Sequence, residues 1–68
     1  MTDKQYAPHQ QRVIDELDEL FVKTSRLKEF VKGPVFEALK TEEQELLQQQ
    51  LIVMQQYIDI LNKRIALF

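Results

Sequence analysis

Apolar residues recur along two stretches of this chain at helical spacing. In the second half, Leu47, Leu51, Met54, Ile58, Leu61, Ile65 and Phe68 follow one another at alternating steps of four and three. That rhythm lays one apolar stripe along a helix and suits packing against a partner helix. Thr41 and Gln44 stand just before it at the spacing of a capping box, in which a hydroxyl and an amide satisfy the first backbone N–H groups. The spacing predicts a helix over 41–67. In the first half, Val13, Leu17, Leu20, Thr24, Leu27 and Val31 repeat the same alternation, with Ile14, Phe21 and Phe30 beside them. Pro8 suits a first helical turn, where its missing N–H costs nothing. The predicted first helix covers 8–32, with 1–7 as a flexible N-terminus.

Gly33 and Pro34 read as a stop signal. Residues 34–39 have room for one short helical turn, with Val35, Phe36 and Leu39 capping the open end. So short a link makes the two long helices antiparallel. The fold class is all-α: a single antiparallel helical hairpin with a short connecting helical turn. Thr24 is the one polar member of the seam. Its hydroxyl either bonds its own helix backbone or faces a partner or ligand.

A second apolar column, Leu46, Val53, Ile60 and Leu67, runs at steps of seven beside the main stripe of the second helix. One antiparallel neighbour does not cover both columns. A 68-residue chain also buries a modest fraction of its surface and needs help to be stable. With no Cys and a single His, disulfides and thiolate metal sites are excluded, which leaves self-association. The chain is expected to be a homo-oligomer.

Nine basic against eleven acidic residues give a net charge of −2, the wrong footprint for general DNA binding. No apolar run reaches a membrane span, and the polar opening Met1-Thr2-Asp3-Lys4-Gln5 has no signal-peptide core. A soluble intracellular protein with no cofactor is expected. No nucleophile, phosphate loop or paired-His motif appears, so no enzyme activity is expected. A few placed cations can still hold a small anion. Lys23 and Arg26 lie on the first helix, where Glu19 also offers Lys23 a helix-surface pair and Arg12 has Glu16. Arg64 shares a column with Tyr57 and Gln50 at the edge of the apolar stripe, where its planar fork suits phosphate. Tyr6 and His9 are the rings near the start of the first helix, and Ser25 is a mid-helix hydroxyl.

The stretch His9-Gln10-Gln11-Arg12-Val13-Ile14-Asp15-Glu16, the Leu27-x-x-Phe30 pair and the closing Met54-x-x-Tyr57-x-x-Ile60-Leu61-x-x-Arg64-Ile65 resemble a family of short phage proteins. These are the anti-CBASS cyclic-oligonucleotide sponges. The resemblance implies a homohexamer in the cytoplasm of an infected bacterium. It implies that cyclic di- and trinucleotide signals are bound without cleavage, in two kinds of pocket between protomers. By that resemblance Lys23 is the lysine on phosphate in the dinucleotide pocket. Relatives carry Tyr directly before Gln-Gln-Arg where this chain has His9, so the stacking ring falls to His9 or to Tyr6 upstream. Arg64 and Ser25, the latter in place of a Thr, are the trinucleotide residues. From the residues alone, a helical interaction module docking on a protein partner and a coiled-coil adaptor stand as alternatives.

Overall fold

A computed structural model describes residues 5–68. Three helices follow in order: α1 (Pro8–Phe30), α2 (Pro34–Glu37) and α3 (Thr41–Ala66). The two long helices pack side by side as an antiparallel hairpin, and the short α2 sits at the corner. The predicted seams are the ones that meet. All seven positions of the α3 stripe from Leu47 to Phe68 are buried or half-buried, as are all six from Val13 to Val31 on the first-helix seam. Leu61, at 0% exposure, is the centre of the contact.

All three helices end one or two residues before expectation, α2 at Glu37 and not Leu39, and α3 at Ala66 and not Leu67. The first helix stops at Phe30, not Lys32, because its ladder tightens there. Val31 N–H still reaches the Leu27 carbonyl, but Lys32 and Gly33 donate to Glu29 and Phe30, three residues back. Gly33 has an extended backbone (φ −97°, ψ 171°), so the turn makes no use of its freedom to adopt positive φ. Thr41 is the first residue of α3, and the extended residue before it is Lys40, with no side-chain cap. Gln44 turns back instead. Its Nε2 donates to the carbonyls of Phe36 (2.8 Å), which also accepts from the Leu39 N–H, and Glu37 (3.3 Å), at the end of the four-residue helix. At the start of α1 the Ala7 N–H donates to Gln10 Oε1 at 2.9 Å, which ties down the first turn.

An aromatic pair closes each end of the rod. Phe36 is buried beneath Phe30, edge to face with centroids 6.4 Å apart. Leu39 is half-buried beside this corner, but Val35, expected to join the cap, is 60% exposed. At the other end Tyr6 packs on Phe68 with centroids 6.0 Å apart. Of the N-terminal segment expected to be flexible, 1–4 lie outside the described residues.

The rod measures 50 × 19 × 16 Å with a radius of gyration of 15.8 Å. A globule of this length would have about 11 Å. Among the described residues only Val13, Phe36 and Leu61 are buried apolar side chains, and Thr24 is the buried polar one. Thr24 takes the quieter of its two readings: its hydroxyl donates to the Leu20 carbonyl at 2.7 Å. The second column of α3 stays bare, with Leu46 64%, Val53 60%, Ile60 53% and Leu67 86% exposed.

Candidate functional site

Two long edges run where α1 and α3 meet, and each side chain's edge follows from its place in the heptad. On α1, His9, Glu16 and Lys23 recur at steps of seven on one flank of the seam. On α3, Gln50, Tyr57 and Arg64 do the same. A cross-helix hydrogen bond fixes how these two rows face each other: the Tyr57 hydroxyl donates to the Glu16 carboxylate. Stepping seven residues in opposite senses from that bond puts Arg64 level with His9, and Gln50 level with Lys23. This edge therefore carries a cation or a titratable ring at each end and a phenol–carboxylate pair in the middle.

The pair is also felt in the titration of Tyr57. The Glu16 carboxylate accepting its proton raises the phenol above its ordinary value of 10.0, and the negative charge of Glu16 adds to this. Arg64 pulls the other way, as a cation one heptad along must. Because Glu16 faces Tyr57, the expected surface pair of Glu16 with Arg12 is absent. Among the described residues the ion pair present is Lys32–Glu29 at 3.5 Å, so Glu19 and Lys23 are not paired either.

Beside the Tyr57–Glu16 bond lies an open groove of 220 Å³, lined by Glu16, Glu19, Leu20, Lys23 and Tyr57. The opposite edge holds two neighbouring grooves that share Phe21 and Ile58. One of 480 Å³ is lined by Leu17, Asp18, Phe21, Val22, Ile58 and Asn62. The next, 270 Å³, includes Ser25, Lys28, Gln55 and Asp59. Phe21 stands between them with 61% of its surface exposed.

The expected site residues thus fall in different places. Lys23 and His9 share an edge but lie two heptads apart, about 21 Å along the helix at ~1.5 Å per residue. Tyr6 is engaged with Phe68 at the far end of the rod. Ser25 is on the opposite edge from Arg64 and about 24 Å further along the axis. Neither expected set is assembled within one chain. The residue that sequence reasoning passed over is Tyr57, noted there only as a column-mate of Arg64. Its signal was its place one heptad from Arg64, and the missing information was the register of the two helices.

The described residues thus form a rod with charged and aromatic edges, a bare apolar column and several open grooves. The family profile named Sequestin matches residues 7–67, and the chain belongs to that family. It is also 42% identical over 60 residues to an uncharacterised 7.5 kDa protein from the denB-rIIB intergenic region of Enterobacteria phage T4, covering 88% of this chain and 94% of that one. No solved structure matches the chain significantly. The family's name suggests sequestration of a ligand. Among the described residues no helix is long and apolar enough to cross a membrane.

Proposed function

We propose that the protein is a phage immune-evasion sponge. It binds the cyclic di- and trinucleotide messengers of bacterial antiphage (CBASS) signalling in the host cytoplasm and holds them uncleaved, so that the effector downstream is not triggered. The observation that carries this reading is membership of the Sequestin family over nearly the whole chain. The geometry supports it in two ways. The expected sets, Lys23 with His9 or Tyr6 and Arg64 with Ser25, lie too far apart to close on one ligand within a chain, as sites shared between copies require. The bare column of Leu46, Val53, Ile60 and Leu67 gives those copies an apolar surface to assemble on, as a homohexamer or another closed ring.

Sequestration needs tight binding and slow release. Drawing a micromolar signal below its effector's threshold requires a Kd of about 1 nM, near 12 kcal/mol. Burial between protomers, with stacking on base and charge-assisted bonds to phosphate, is suited to that. Titration calorimetry against a panel of cyclic di- and trinucleotides tests the proposal. Tight binding of at least one, with the nucleotide recovered intact after denaturation, is expected. Failure of every member at micromolar protein, or recovery of a cleaved product, would refute it.

The same bare column also suits a second reading, a helical module that docks on a different protein. In that case isolated chains stay monomeric or dimeric, and affinity capture from infected cells returns a protein and no nucleotide.

A further inference from the structure

We propose that Tyr57 is the ring on which a base of the bound cyclic nucleotide stacks, with the adjoining phosphate taken by Lys23. This rests on the sponge reading and assigns within it the ring that stands beside Lys23 in the same chain, where Tyr6 and His9 do not. Tyr57 and Lys23 line one groove. Tyr6 is held against Phe68 at the end of the rod, and His9 is about 21 Å from Lys23 along the helix. Tyr57 is 37% exposed, while its hydroxyl is already bonded to Glu16. Its polar tip is therefore satisfied, its ring is held in place across the two helices, and part of the ring remains open to a ligand. A ring ordered beforehand gives up little conformational freedom on binding.

The rest of the groove fits the same orientation. Leu20 supplies an apolar wall. The carboxylates of Glu16 and Glu19 repel phosphate but accept from the N–H donors of a base edge. The base therefore lies on the Tyr57 and Glu side, and the phosphate on the Lys23 side. At 220 Å³ and open, the groove is smaller than the ~300 Å³ at which ligand pockets begin, so it seats one base and its phosphate. The remainder of the ligand is left for a second copy to cover.

The chain has two tyrosines and no tryptophan, so intrinsic emission reports on these two rings. In Tyr6→Phe protein the emission comes from Tyr57 alone. Addition of cyclic di-AMP, cyclic di-GMP or cyclic GMP-AMP, whichever calorimetry shows to bind, is expected to quench it. Tyr57→Leu should weaken binding about 10- to 100-fold, the range for one base–aromatic stack, with helix content and oligomeric state unchanged. Tyr57→Phe, which keeps the ring, should stay within about threefold of the parent. Binding by Tyr6→Phe protein without quenching overturns the assignment, as does parental affinity in Tyr57→Leu. A loss seen instead in His9→Ala or Tyr6→Leu would also overturn it. Should the unsubstituted protein bind no cyclic nucleotide at all, the sponge reading fails first and this assignment falls with it.

Discussion

Ile60 offers a direct handle on the proposed assembly, because a charge placed there is harmless to a lone hairpin and disruptive to a cluster of them. It is 53% exposed, in the middle of the bare column and next to the fully buried Leu61. Full burial of such a side chain is favourable by about 1.5–3 kcal/mol, so covering its exposed half adds about 0.8–1.6 kcal/mol per copy. Ile60→Asp forfeits that contribution. It also places a carboxylate in an apolar contact, where an unpaired charge costs several kcal/mol more. The combined loss is about 3 kcal/mol or more per contact, which is a hundredfold or more in its dissociation constant. In an isolated hairpin the same side chain points to water, and the change costs under about 1 kcal/mol, mostly helix propensity. Sedimentation velocity over a dilution series, with circular dichroism on the same samples, separates these effects. The expected result is a shift to smaller species with helix content retained, and the same from Val53→Asp. An unchanged assembly in both variants would show that this column is not the contact.

Other perturbations address the hairpin itself. Leu61→Ala opens a cavity at the most buried position and should destabilise by about 2–5 kcal/mol in urea unfolding at fixed protein concentration; a loss under about 1 kcal/mol would contradict the packing described. Gly33→Ala should change stability by less than about 1 kcal/mol, because the backbone there is extended and an added Cβ meets the Phe30 carbonyl at an ordinary 3.5 Å. A larger loss in the same urea assay would show that the corner needs glycine. The Tyr57 phenol has a raised pKa, so its bond to Glu16 supports the fold below pH 10.0 and is lost as pH climbs through the raised value. Absorbance titration of Tyr6→Phe protein should give a midpoint above 10.0, moving back toward it in Glu16→Gln; an ordinary midpoint in the parent would contradict the cross-helix bond.

The long helices were legible because a four-three apolar rhythm has one simple geometric solution. Every position of the two seams is at least half-buried, and every position of the Leu46–Leu67 column is exposed. Local end chemistry was less legible. Thr41 and Gln44 have the spacing of a capping box, but Gln44 had a competing choice in the carbonyls of α2, which only the folded corner brings near. Periodicity extends the first helix to Lys32 because it does not register the change from four-residue to three-residue hydrogen bonds after Val31. The candidate site was legible in its residue types and not in its grouping. Lys23, Arg64, Ser25, His9 and Tyr6 could each be singled out, yet the distances between them depend on the register of α1 against α3. That register also makes Tyr57 the neighbour of Glu16 and Lys23, a relation across the whole length of the hairpin loop that no local motif encodes.

In the proposed function several hairpins join into an assembly whose edges, once brought together, hold cyclic nucleotides. Native mass spectrometry of the protein mixed with a panel of cyclic nucleotides reads copy number and bound ligand in a single spectrum. A closed assembly of several chains carrying intact cyclic nucleotide is expected. A folded single chain without nucleotide, at concentrations where the hairpin is stable, would contradict it.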